Sequence, residues 1–208
     1  HAHQRINQAI ATKRRLITLL HEQRRAIAGH AATRGVDDGA ATRDSGVPWI
    51  GQIPAHWELR RVASVFDNLD YRRVPLSSEV RGRMTSREYD YYGASGVIDQ
   101  VDDFLFDEPT ILLAEDGANL VLRNLPLAIK ASGKYWVNNH AHILRPRVGS
   151  IDYYLAALEA IDFRPWITGA AQPKLTQDRL KAVPIAVPPA QEQVSISRWL
   201  HERTSAVT

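Results

Sequence analysis

"GVPWIGQIPAHW", Gly46 to Trp57, packs two tryptophans, two isoleucines, two prolines and two glycines into one short segment. A flexible linker would be polar. Pro48, Gly51 and Pro54 stand too close together for a helix, and prolines are excluded from a regular central strand. An irregular stretch this apolar reads as a packed collar, with Trp49, Ile50, Ile53 and Trp57 as its anchors. A rigid collar implies two bodies to be joined, and the flanking sequence supplies both.

On its N-terminal side, residues from about Gln4 to Thr33 read as one helix. Ile6, Ile10, Lys13, Ile17, Leu20, Arg24 and Ile27 step by four and three, a heptad seam with two basic members. Gly35 suits the position just past a helix C-terminus, and Arg34 suits the negative end of the dipole. At about 1.5 Å per residue the helix would run roughly 45 Å. Its seam cannot be buried on itself and needs a partner helix. Between helix and collar, "GVDDGAATRDSG", Gly35 to Gly46, is polar and turn-rich and reads as a loop.

On the C-terminal side, "ELRRVASVF", Glu58 to Phe66, is a short helix or strand entering a globule. From Tyr91 onward, "YYGASGVIDQVDDFLF", "PTILLAEDG" and "LPLAIKASGKYWVNNHAHILRP" show short apolar runs cut by Gly, Asp and Pro, the pattern of strands and tight turns. "IDYYLAALEAIDF", Ile151 to Phe163, has helical spacing at Tyr154, Leu155, Leu158 and Ile161. "TQDRLKAV" is a second short helix, with Thr176 as N-cap and Asp178 in its first turn. "VPIAVPP" is an extended strand stopped by prolines. A last helix follows Pro189, with Val194 or Ile196, Leu200 and Val207 on its apolar side. The expected fold class is α+β: a long N-terminal coiled-coil-type helix, a mixed α/β globular domain with a twisted sheet, and a short C-terminal helix. The expected divisions are 1–35 for the spacer helix, 36–57 for loop and collar, 58–188 for the globular domain, and 189–208 for the start of a distal helix.

A chain of 208 residues supports one good core, or one domain with an extension. It has no cysteine, which excludes disulfides and Cys-based zinc sites and fits a reducing compartment. No apolar run approaches the roughly 20 residues that cross a bilayer, and no signal peptide opens the sequence. The expected location is cytoplasmic, with no membrane partner. The chain opens on His1 rather than Met, as a processed or excised piece would. The net charge is only +3, but unevenly spread. From Val101 to Leu120 every charged residue is acidic: Asp102, Asp103, Asp107, Glu108, Glu115 and Asp116. From Val121 to Ser150 every one is basic: Arg123, Lys130, Lys134, Arg145 and Arg147. The N-terminal helix is also basic. Such blocks footprint a polyanion, or else form a solvated face.

Four stretches carry a resemblance: "DSGVPWIGQIPAHWELRRV", "YYGASGVIDQVDDFLFDEPTILLAEDGANL", "GKYWVNNHAHILRP" and "QPKLTQDRLKAVPIAVPPAQEQVSISRWL". In this order and spacing they resemble the DNA-specificity subunit of type I restriction–modification systems. A full subunit of that family holds two target-recognition domains, each reading half of a split DNA site, with two long helices lying antiparallel between them as a ruler. This chain resembles one half. The resemblance implies sequence-specific duplex DNA binding without catalysis. It implies methyltransferase subunits docked on the helices and using S-adenosylmethionine, and a restriction motor subunit using ATP and Mg²⁺. No cofactor is implied for this chain itself. The unpartnered seam of Ile6, Ile10, Ile17, Leu20 and Ile27 is the expected subunit interface, open to a second copy of the chain or to another subunit.

Candidate DNA readers lie in the arginine-rich run from Asp70 to Tyr89, notably Arg72, Arg73, Arg81 and Arg83, because Arg bonds guanine O6 and N7 bidentately. Lys134 and Tyr135 in the basic block join them, as do Gln172 and Lys174 in "TGAAQPKL", since Gln can pair with adenine. The plain alternative for these residues is solvated loop with local ion pairs. His140 and His142, two apart on a strand, would share a face and could start a metal site, with no third ligand evident. A different class of function is a metal-dependent nuclease using Glu115 and Asp116 at a strand end. The usual accompanying Lys on the same strand is missing. A third reading is a helical scaffold whose globule binds protein. There is no P-loop and no adenine-methyltransferase motif.

Overall fold

The computed structural model describes residues 2–205. Helix α1 runs Ala2–Arg34 as one uninterrupted element, as the heptad steps predict. It ends at Gly35, which sits at φ +75° and donates its N–H to the Ala31 carbonyl at 3.1 Å. A Cβ at Gly35 would also meet the Trp57 ring at 3.3 Å and the Glu192 carboxylate at 3.5 Å. Helix termination and collar packing thus converge on one residue that must be glycine. Only the last third of α1 is packed: Ile27 and Ala28 lie against the core, and Ala31 and Ala32 are buried. Leu20 is half-buried, whereas Ile6, Ile10, Leu16, Ile17 and Leu19 are exposed.

The collar is packed as expected. Ile50, Ile53 and Trp57 are buried, Trp57 to 1 % exposure, and half-buried Trp49 meets Trp166 edge-on at 6.3 Å. The Trp57 indole N–H donates to Glu192 at 3.0 Å, and its ring packs edge-on against Tyr153 at 6.2 Å. Burial pushes the Tyr153 hydroxyl well above its ordinary pKa, and that hydroxyl reaches the carbonyls of Ala32 at 3.1 Å and Ala186 at 2.8 Å. Within the collar, β1 (Thr42–Asp44) pairs antiparallel with β2 (Gln52–Pro54). β1 falls in the segment expected to be loop. All its residues are exposed, so no alternation of apolar residues announces it.

Glu58 to Phe66 is neither one helix nor one strand. It divides into β3 (Glu58–Arg61), α2 (Val62–Val65) and the first residue of β4 (Phe66–Asn68). There follow α3 (Ser78–Gly82), β5 (Tyr89–Gly93), β6 (Gly96–Val101), β7 (Phe106–Asp107), β8 (Thr110–Ala114), α4 (Asn119–Leu122), β9 (Ala128–Ala131), β10 (Lys134–Val137) and β11 (Ala141–Pro146). Then come α5 (Ile151–Ala160), α6 (Gln177–Ala182), β12 (Pro184–Val187) and α7 (Ala190–Ser205). Thr176 caps α6, its hydroxyl accepting from the Arg179 N–H. On α7 the buried side is Ile196 and Leu200, while Val194 is half-exposed; Val207 lies outside the described residues.

The strands form two main sheets instead of one, ordered β4-β11-β8-β9 and β6-β5-β10-β7, with a separate β3–β12 pair. Every residue of β8 is buried, the mark of a strand covered on both faces. Ile111 and Leu113 join Leu144, Tyr154 and Leu158 in the core beneath the helices. Leu112 points the other way, joining Ile143, Phe106, Tyr135 and Val137 between the sheets. The period of two therefore builds three layers: α1, α5 and α7, then the β8 sheet, then the β5 sheet. Ser132 and Gly133 carry the chain from β9 in one sheet to β10 in the other, Gly133 at φ +75°.

Candidate nucleic-acid interface

The arginine-rich run crosses the outer face of the second sheet. Tyr91 and Trp136 stand opposite each other on the paired β5 and β10. The Trp136 indole donates to the Val74 carbonyl at 2.6 Å, and the Tyr91 hydroxyl accepts from the Leu76 N–H at 3.0 Å. This anchoring absorbs most of the candidate readers. Arg81 lies over the Tyr91 ring and pairs with Asp99 at 2.8 Å. Arg72 lies over Phe106, pairs with Glu108 at 2.6 Å and donates to the Leu105 carbonyl at 2.8 Å. Arg73 turns inward to Glu115 and the Ala141 carbonyl. Arg83 differs. Its side chain is 77 % exposed and, among the described residues, pairs with Glu79 alone, one turn away and equally exposed. Tyr71, in the 3₁₀ turn Asp70–Arg72, is 81 % exposed. Its exposed hydroxyl can reach a phosphate, as tyrosine side chains do on duplex DNA.

Lys134 is exposed at the start of β10, its ammonium 4.6 Å above the Phe104 ring. Tyr135, its neighbour, is corrected by the structure. Alternation along β10 turns it inward, to 1 % exposure and stacked on Phe106. Its hydroxyl bonds Thr110 at 2.7 Å and the Glu108 carbonyl at 3.0 Å, and burial pushes its pKa up to about 12. A phenol so placed cannot touch DNA.

The two histidines also part company. His140 lies in the connection before β11, exposed, with Nδ1 2.8 Å from Asp116. His142 is fully buried on β11, between the Asp70 carboxylate at 2.6 Å and the Leu175 carbonyl at 2.7 Å. Ligand atoms of Asp70, Glu115 and His142 all lie within 4.8 Å of one another, a grouping that spacing did not show. Two cations already serve it: Arg73 faces both carboxylates, and the Lys174 ammonium is 3.1 Å from Glu115. Burial alone would raise the Asp70 carboxyl, but His142, the Ile143 N–H and Arg73 together hold it below its ordinary value. Burial likewise works against ionised Glu115, and Arg73, His142 and Lys174 outweigh it. The nuclease reading needed open carboxylates at Glu115 and Asp116; both are engaged by protein cations or imidazole. Gln172 stands exposed on the hairpin that carries Lys174.

The acidic and basic blocks meet at Arg145, and the other basic residues turn to acids elsewhere, Arg123 to Glu159 and Lys130 to Asp152. Arg145 bridges Glu108 at 2.9 Å and Asp67 at 3.0 Å, and Arg147 adds a bond to Asp67. Asp102 accepts the backbone N–H groups of Arg87 at 2.7 Å and Thr85 at 3.0 Å, which lower its pKa. The acidic run is thus a set of loop fasteners.

Residues 54–207 match the type I restriction modification DNA specificity domain, and the chain belongs to that family. It is 32 % identical over 149 residues to the type I restriction enzyme specificity subunit S.HindORF215P of Haemophilus influenzae, covering 71 % of this chain and 36 % of that one. Its fold is similar to the S subunit of a type I restriction-modification system from M. genitalium, with a TM-score of 0.63 at 14 % identity over 97 % of this chain and 52 % of that chain. A second similar structure, solved for complex assembly and conformational transition of the type I R-M system, gives a TM-score of 0.59 at 15 % identity, covering 98 % and 50 %. The chain spans about half the length of these solved relatives and 36 % of the curated one.

Proposed function

We propose that this chain recognises a duplex DNA sequence as one half of a type I specificity subunit, and that its task is recognition and positioning without chemistry of its own. The specificity-domain match over residues 54–207 carries this reading. The architecture supports it: a globule with exposed Arg83, Lys134, Lys174, Gln172 and Tyr71 is locked by a packed collar to a helix that extends beyond it. A rigid mount matters when the distance between two readers sets the site.

The exposed seam of Ile6, Ile10 and Ile17, continued by half-buried Leu20 and Ile27, is assigned to assembly. Soluble monomers rarely expose apolar surface of this extent. A second copy packed antiparallel would rebuild a two-domain reader for a palindromic split site. Methyltransferase subunits on the same helices would bring S-adenosylmethionine, and a restriction motor subunit ATP and Mg²⁺. A complex that acts on duplex DNA would work in the cytoplasm; among the described residues no helix is long and apolar enough to cross a membrane. Fluorescence anisotropy with duplex DNA across a salt series tests the reading. Binding that weakens with salt, prefers one sequence and leaves the duplex uncut is expected. Cleavage by the chain alone would return the nuclease alternative.

A further inference from the structure

Asp70 and Arg73, Glu115, His142 and Lys174 come from four separate stretches and meet at one end of the β8–β11 pair. What they hold is a single exposed hairpin. Thr168 and Lys174 exchange backbone hydrogen bonds of 2.8 and 2.7 Å. Gly169 closes the turn at φ +81°, where any Cβ would overlap the Gln172 carbonyl oxygen. Residues 168–172 are all exposed, and Leu175 is the hairpin's one buried side chain. Its other ties are polar, and two of them run to Glu115, one to the carboxylate and one to the backbone carbonyl. The Lys174 ammonium faces the Glu115 carboxylate, and the Leu175 N–H donates to the Glu115 carbonyl at 2.8 Å. The Gly117 N–H holds Pro173 at 3.0 Å, and His142 holds the Leu175 carbonyl. Replacing a buried ion pair by apolar side chains of similar volume is often neutral or stabilising, so stability alone does not account for a charged network here. Direction does, because charge-assisted bonds fix geometry.

We propose that Glu115 is a positioning residue for DNA recognition: it sets the height and angle of the hairpin, so that Gln172 and Lys174 meet the duplex. The proposal rests on the DNA-recognition reading above. The Gln172 amide can bond an adenine edge, and Lys174, half-exposed on its open side, can meet a phosphate. Arg73 acts from within, clamping the same carboxylate, instead of reaching a base.

The test uses the full chain and two duplexes: the one it selects from a randomised pool, and a scrambled control. Glu115→Gln keeps the side chain's size and removes its charge. The expected result is an affinity ratio between the duplexes lower by about tenfold or more, with control binding unchanged or raised, since a carboxylate has left a polyanion's vicinity. Glu115→Asp should recover part of the ratio. Amide exchange at Thr168 and Lys174 should speed up locally. Parallel weakening on both duplexes, in step with lost folded protein, would mean a structural role only and overturn the proposal. Equal strengthening on both, with the ratio intact, would reduce Glu115 to a remote charge and overturn it too. Arg73→Lys keeps the charge but loses the forked bonds. It should lower the ratio as well, and it serves if Glu115→Gln does not fold. A wild-type chain that selects no duplex sinks the DNA reading itself, whereas selection kept by both variants sinks positioning alone.

Discussion

Trp57 is where the joint is decided. Its ring is buried against Tyr153, and its N–H is spoken for by Glu192. Trp57→Ala should destabilise the chain by about 3–5 kcal/mol, read as a lower denaturant midpoint. Asp70 makes a second residue-scale prediction. Its folded pKa lies below its unfolded value, so the stability it contributes is full above about pH 4 and is lost as pH falls through the folded value. Glu115 adds in the same direction. Unfolding midpoints should therefore drop on the acid side, and Asp70→Asn should flatten that drop while lowering stability near neutrality. An unchanged acid limb in Asp70→Asn would remove Asp70 from the linkage. The collar tryptophans were legible in sequence because Pro, Gly and Trp together leave few alternatives. The ion partners were not: Arg73 and Glu115 are 42 positions apart, and they meet because β11 pairs with β4 on one side and with β8 on the other.

Among elements, α1 was the most legible, since a sustained heptad step and Gly35 specify both its body and its end. The segment from Asp70 to Tyr89 was the least. Its polarity suggested a free loop, but Tyr91 and Trp136 pin it to a sheet, and α3 forms within it behind a Ser77 cap. That pinning sorts the arginines. Arg83→Ala should change DNA affinity or preference with little loss of stability, because its ion pair is with an exposed Glu79 and such pairs contribute about 0.2–1 kcal/mol. Arg72→Ala and Arg81→Ala should instead lower the melting temperature, because each removes one of a carboxylate's two arginine partners and the cation over an aromatic face. Paired melts and binding curves separate the two behaviours. A reversed pattern, with Arg83 structural, would mean that the segment lies differently on the sheet.

At the scale of the whole molecule, a globule holds one end of a helix and leaves an apolar stripe beyond it. Light scattering at micromolar concentration should give a mass above the monomer, and Ile17→Asp, at a position 54 % exposed in the single chain, should return the monomer. A monomeric mass unaffected by Ile17→Asp would assign the stripe to a different subunit. The helix, the class of fold and the family pattern were all readable from sequence. The division into two sheets was not, because both inward faces of β8 and β11 are apolar and periodicity cannot say which layer each one meets. Selection from a randomised duplex pool shows whether the chain reads duplex sequence. Repeated rounds with the purified chain at moderate salt should enrich one defined base pattern, and a scrambled version of it should bind more weakly at the same salt. A pool that stays random, with all duplexes bound alike and released together as salt rises, would contradict it.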